Sequence, residues 1–156
     1  MKTIIIYATK YGATAEIAQR IAGRIDGAVV HDLKQSGIRD LAGFDCVVFG
    51  SSVYAGMIRR EAKVFLSQNE ETLRQKKLGL FLSGIGESGE TAFFKNNFSP
   101  AVLQAARATA FLGGVFDPKK GNFVERLIIK IVTKQSGYQN TINDSRIGQF
   151  VEAMKA

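Results

Sequence analysis

The sequence predicts an α/β protein built on an open parallel sheet, and two observations carry that prediction. Five short apolar segments alternate along the 156 residues with stretches whose apolar side chains recur at helical spacing. The first segment, Lys2–Ala8, holds Ile4, Ile5 and Ile6 in succession, a β-branched run of the kind found in strands buried on both faces. Right-handed crossovers between parallel strands then set helices on both faces of the sheet. The length suits one domain, residues 1–156, with enough core to fold without disulfides or metals.

After strand one, Ile17, Ile21 and Ile25 form one stripe of a first helix, about Thr14–Arg24. Asp26-Gly27 is a turn pair, and Ala28–Asp32 reads as a short second strand. Leu33–Phe44 is a connection, with a helical turn expected around Ile38–Ala42. Asp45–Ser51 is the third strand. A helix follows from about Arg60 to Gln75, with Asn69 as the point where it would break. Leu78–Ser83 is strand four, Glu90–Asn97 and Pro100–Ala105 are helical pieces, and Thr109–Gly114 is strand five, ending in Gly113-Gly114. Asn122–Gln135 is strongly helical, and Ser145–Lys155 carries Ile147, Phe150, Val151 and Met154 on one side.

Composition narrows the chemistry. One cysteine, Cys46, lies in an apolar run and reads as a buried filler, so no disulfide forms within the chain and a reducing cytoplasm fits. One histidine, His31, stands beside Asp32 at the end of strand two and reads as structural. One Cys and one His make no typical zinc or copper site, and no Ser-His-Asp arrangement stands out, so any redox group is borrowed. The apolar start is too short for a signal peptide, and no stretch approaches membrane-spanning length. The net charge of +7 favours anionic partners. Its cations are dispersed, without a dense run or an aromatic-basic RNA motif, which ranks nucleic acid last.

Ligands in such a sheet bind beyond the carboxyl ends of the strands, at the topological switch point. Three loops with suitable chemistry end there: Thr9–Thr14, Ser51–Gly56 and Ser83–Gly89. The first, Thr9-Lys10-Tyr11-Gly12-Ala13-Thr14, offers hydroxyls, a glycine for close backbone approach and the unpaired N–H groups of a helix start, which together suit a phosphate. A plain strand-to-helix turn with Thr14 as N-cap and Gly12 as a bend is the alternative.

With these loops in place the sequence resembles the flavodoxins. Thr9-x-Tyr11-Gly12-x-Thr14 is similar to their phosphate loop, and it lacks the Gly-x-Gly-x-x-Gly of dinucleotide folds and the Gly-Lys-Ser/Thr of Walker loops. Phe44–Ser51 resembles the family's third strand. Ser51-Ser52-Val53-Tyr54-Ala55-Gly56 resembles the loop beside the isoalloxazine ring, and Ser83-Gly84-Ile85-Gly86 the other flavin-contacting loop. The resemblance implies a five-stranded sheet of order 2-1-3-4-5 and FMN as cofactor. It implies that the first loop anchors the phosphate, with Lys10 only shading the field. Tyr54 then lies against the flavin, or else caps the sheet edge. Gly56 is a candidate for a peptide that turns toward flavin N5, or else a turn residue. No side-chain acid or base is required, because flavin N5 does the chemistry.

The tail carries a sharper likeness. Gly113-Gly114 followed by Asn122–Gly137 is similar to the insert of the menaquinone-dependent protoporphyrinogen oxidases, which are flavodoxin-like enzymes of haem biosynthesis. The insert here spans about 117–139 and carries Lys119, Lys120, Arg126, Lys130 and Lys134 against Asp117 and Glu125. Phe123, Val124, Leu127, Ile128, Ile131 and Val132 share one face of its helix. Such a helix suits a membrane interface or an ordinary core-facing position. The resemblance implies an FMN-dependent oxidoreductase acting on a porphyrinogen, with menaquinone or another quinone as acceptor. It would be cytoplasmic and peripheral to the inner face of the cell membrane. Arg59 and Arg60, with Lys119, Lys120, Arg126 and Lys130, are candidates to meet porphyrin carboxylates or the membrane; Arg59 and Arg60 alternatively are solvated charges at a helix start. A flavodoxin-type carrier, docking on a redox partner protein, is the competing reading.

Overall fold

The computed structural model describes residues 1–35, 40–86, 90–119 and 137–156. Strands β1 (Thr3–Ala8), β2 (Val29–Asp32), β3 (Cys46–Tyr54), β5 (Lys77–Ser83) and β6 (Ala106–Phe111) form one parallel sheet in the order β2-β1-β3-β5-β6. In terms of the five long strands this is the expected 2-1-3-4-5. The two-residue β4 (Met57–Ile58) folds back antiparallel on the end of β3.

Alternation along the central strands builds two cores. Ile4, Ile6, Val47, Phe49, Leu78, Leu80 and Leu82 point to one face. There they meet Ala62, Phe65, Leu66 and Leu73 of α2 (Arg60–Arg74), Phe94 of α3 (Glu90–Asn97) and Val102 of α4 (Pro100–Ala105). Phe49 stacks on Phe65 with ring centroids 5.4 Å apart. Ile5, Tyr7, Cys46, Val48 and Phe81 point to the other face. Their partners are Ile17, Ala18 and Ile21 of α1 (Ala13–Ala22) and Ile147, Phe150, Val151 and Met154 of α5 (Asp144–Lys155). Cys46 is 1% exposed, and burial pushes its thiol pKa up, as expected of an inert filler.

The differences from the sequence reading have local causes. β3 runs three residues beyond Ser51, because Val53 and Tyr54 pair with Ile58 and Met57 across a two-residue turn. The second loop is therefore a β-hairpin. α2 is continuous through Asn69, whose amide donates to the Phe65 carbonyl one turn back, so the polar side chain is satisfied without breaking the helix. The fifth long strand is Ala106–Phe111 rather than Thr109–Gly114; the alanines give little strand signal, and pairing with β5 places them. Beyond it, Val115–Phe116 (β7) pairs antiparallel with Gln139–Asn140 (β8), a small sheet the sequence did not announce. Residues 40–42 of the expected turn at Ile38–Ala42 are not helical. The helix expected at Asn122–Gln135 lies outside the described residues. Among the described residues no helix is long and apolar enough to cross a membrane.

Gly50 lies directly opposite Phe81 in the sheet, and a Cβ there would overlap the Phe81 ring. Gly50→Ala should therefore destabilise the fold by about 1–3 kcal/mol through overpacking. Urea denaturation reads this as a lower midpoint at an unchanged slope; an unchanged midpoint would contradict the packing described.

Candidate functional site

The parallel register brings three strand ends level. Ala8 pairs with Ser51, and Ser52 pairs with Ser83. The loop after β1 is closed by the Gly12 N–H, which donates to Thr9 Oγ1 at 3.0 Å. Gly12 is the N-cap of α1, with φ of 101°, a conformation that favours glycine, and no side chain caps the helix. A Cβ on Gly12 would meet nothing within 4 Å, so the turn opens onto free space. The first-turn amides and the positive end of the helix dipole face that space. Thr14 is fully buried, and its hydroxyl is bonded to Ser83 Oγ at 2.6 Å rather than capping the helix. Two hydroxyls share one bond, so the pair keeps one O–H donor in reserve for a ligand.

The hairpin forms the second wall. Ala55 and Gly56 both have positive φ, 50° and 78°, the pattern of a tight two-residue hairpin turn. Asn97, at the end of α3, holds this turn from outside. Its Nδ2 donates to the Gly56 carbonyl at 2.8 Å and to the Phe93 carbonyl at 2.7 Å, and its Oδ1 accepts from the Ile58 N–H at 3.0 Å. Any rotation of the Gly56 peptide would have to break its bond to Asn97. Ser51 is fully buried behind the wall, where its hydroxyl donates to the Ser52 carbonyl and accepts from the Arg59 N–H.

The third wall has two layers. Gly84 follows β5, and its N–H donates to the Gly113 carbonyl at 3.0 Å. Gly114 is pressed against the Gly84 backbone so closely that a Cβ would lie 2.9 Å from three of its atoms. Val115 and Phe116 continue from there along the rim. The chain returns to the same place: the Thr141 N–H donates to the Gly114 carbonyl at 2.8 Å, and the Gly114 N–H donates to Thr141 Oγ1 at 3.1 Å.

These walls line one open pocket at the carboxyl edge of the sheet. Of the residues singled out in the sequence it gathers Thr9, Lys10, Tyr11, Ala13 and Thr14, then Ser52, Val53 and Tyr54, then Ser83, Gly84 and Ile85. Gly12 belongs to the same loop, Ala55 and Gly56 make the hairpin turn, and Gly86, with φ of 96°, lies in the third loop. Arg59 lines the pocket too, whereas Arg60 lines a separate surface groove with His31 and Phe65. Lys119 stands just beyond β7, with its N–H donating to Asp117. Lys120, Arg126 and Lys130 lie outside the described residues. Sequence reasoning missed Gly114, Val115 and Phe116 as lining residues and Asn97 as the hairpin's support. The Gly113-Gly114 pair was the available signal for the first three.

Two polar atoms at the pocket are left over by the protein. Ser52 Oγ and Arg59 Nε are both buried without a hydrogen-bond partner. Buried polar groups are normally satisfied, so Ser52 Oγ has bonding capacity for a ligand, while Arg59 Nε also faces Glu61 Oε2 at 3.9 Å. Lys10 Nζ sits over the rings of Tyr11 and Tyr54, 5.2 and 5.4 Å from their centroids. Among the described residues the lining has these two cations and no carboxylate. Glu90, an acid of the third loop's far end, turns away, accepting from the Phe111 N–H at 3.3 Å and facing Arg146 at 3.5 Å.

The family model described as a flavodoxin domain matches residues 4–143. The chain belongs to the flavodoxin family. Solved flavodoxin structures share its fold. A short-chain flavodoxin associated with a PDU bacterial microcompartment superposes with a TM-score of 0.64 at 18% identity, over 99% of this chain and 97% of that one. Oxidised flavodoxin 1 from Bacillus cereus gives 0.62 at 15% identity, over 99% and 97%. A flavoprotein from Lactobacillus acidophilus NCFM in complex with FMN gives 0.54 at 15%, over 70% and 92%. No curated protein matches in sequence. Membership of the flavodoxin family implies FMN, and the residues present fit it. An uncapped helix start and spare hydroxyls suit a phosphate dianion. Val53, Tyr54, Ile85, Val115 and Phe116 suit a planar ring, with Ser52 and Arg59 as unspent donors.

Because Gly114 leaves no room for a Cβ, Gly114→Ala should push the Val115–Phe116 wall off Gly84. The expected result is a loss of about 1–3 kcal/mol in urea denaturation together with weaker FMN uptake in a fluorescence titration. Wild-type values in both would show that this close approach is not required.

Proposed function

We propose that this protein is an FMN-dependent oxidoreductase that oxidises protoporphyrinogen IX to protoporphyrin IX and passes the electrons to menaquinone or another quinone. The observation that carries this reading is the root of the tail segment. Val115 and Phe116 line the pocket, and the chain comes back to them at Gln139–Asn140. The described ends of the segment between them are thus paired at the pocket rim. In sequence that segment holds five basic residues and two acidic ones, with a run of apolar residues, which suits a large apolar substrate bearing carboxylates beside an anionic lipid surface.

In this reading the Thr9–Thr14 loop and the start of α1 bind the phosphate, and Ser52 and Tyr54 border the ring. Val115 and Phe116 exclude water from the pocket. Lys119 and the following cations receive propionates, and Arg59 serves inside the pocket while Arg60 stays outside it. When bound, FMN supplies a hydride acceptor at its N5. Released protons pass to water, so no side chain has to titrate during turnover. A flavodoxin-type electron carrier without its own substrate is the second reading, and it rests on the full-length likeness to two flavodoxins. The net charge of +7 weighs against it where the partner's docking face is basic.

Anaerobic turnover of protoporphyrinogen IX with a menaquinone analogue and lipid vesicles tests the proposal, comparing the intact chain with one lacking residues 119–135. Flavin-dependent oxidation that drops sharply in the deletion is expected. A protein that holds FMN, takes electrons from a reductase and leaves the porphyrinogen untouched would establish the carrier reading instead.

A further inference from the structure

We infer that Arg59 tunes the pocket toward reduced FMN carrying a negative charge on its ring, so that the bound cofactor is a two-electron acceptor of raised potential. This rests on the FMN reading above.

Arg59 is placed by the backbone. It is the N-cap of α2, and its N–H donates to Ser51 Oγ at 3.1 Å, which ties it to the buried end of β3. Its guanidinium is a cationic, donor-only group. Nε is buried and lacks a hydrogen-bond partner, and it forms a long ion pair with Glu61 Oε2 at 3.9 Å. Glu61 Oε2 is itself buried and without a hydrogen-bond partner. Glu61 offsets part of the charge, but it does not line the pocket, and Arg59 does. Glu90 is directed away toward Phe111 and Arg146.

The redox balance makes this asymmetry matter. The ring of oxidised FMN is neutral. Two electrons and one proton from a donor, such as a dihydro compound that gives up two electrons and two protons, leave the ring with one negative charge; the second proton goes to solvent. A fixed cation in a partly enclosed pocket stabilises the charged state over the neutral one. The same cation bound to the phosphate would act on both redox states equally, because the phosphate charge does not change. The ratio of affinities for the two states therefore separates a ring-directed role from simple anchoring.

The test is a spectroelectrochemical titration of bound FMN at pH 7 in the wild type, R59Q, R59K and R60Q, with dissociation constants for oxidised FMN measured alongside. R59Q should bind oxidised FMN nearly as well and lose at least about tenfold in its preference for the reduced form, a fall of about 30 mV in the two-electron potential. R59K should recover most of that, and R60Q, whose charge lies in the separate groove, should match the wild type. An unchanged potential in R59Q, an equal loss of affinity for both redox states, or an equal shift in R60Q would each overturn the inference while leaving FMN binding in place. A wild-type protein that takes up no FMN would overturn the cofactor reading, and this inference with it.

Discussion

The register of β1, β3 and β5 is the constraint from which the rest of the molecule follows. Parallel pairing sets Ala8 beside Ser51 and Ser52 beside Ser83, so three chain segments leave the sheet at one level. A slip of one residue would reverse every side chain and expose Ile4, Ile6, Phe49 and Leu80 to the wrong face. The two apolar cores thus hold the register, and the register holds the site. The buried bond between Thr14 and Ser83, 69 residues apart, exists only because those strand ends are level. It joins the first loop to the third and leaves a hydroxyl donor at their junction.

A second consequence concerns the tail. β6 runs beside β5, so the chain that leaves it emerges against Gly84, and only a glycine at 114 fits so close an approach. From that point the chain makes β7, which β8 pairs with just before Thr141. Both described ends of a segment rich in lysine and arginine therefore stand beside the pocket. The pocket itself carries Arg59 and Lys10 without a lining carboxylate among the described residues.

Much of this was legible in the sequence because it depends on strong local patterns. The isoleucine run, the apolar stripe of α1 and the Gly/Ser/Thr loops gave the two-sided packing and most of the pocket lining, while the sheet order came from the flavodoxin resemblance. What escaped was decided by tertiary contact. The strand at Ala106–Phe111 has alanines where a strand usually has branched residues, and its pairing with β5 overrides that weak propensity. The extension of β3 into a hairpin depends on positive φ at Ala55, a conformation alanine rarely adopts and one that costs about 1 kcal/mol. Asn97 supports that hairpin from 41 residues away, and its role becomes visible only once α3 is packed. Arg59 and Arg60 are adjacent in sequence, yet one enters the pocket and the other leaves it, since the helix start between them turns the chain.

The phosphate role of the Thr9–Thr14 turn underlies everything said of the cofactor, and it is open to a single measurement. Protein freed of flavin is titrated with FMN and with riboflavin, which share the ring and differ in the phosphate. If the start of α1 and its hydroxyls hold that phosphate, FMN binds more tightly by about a hundredfold, or ~2.7 kcal/mol. Equal affinity for the two flavins, or uptake of neither, would contradict the account.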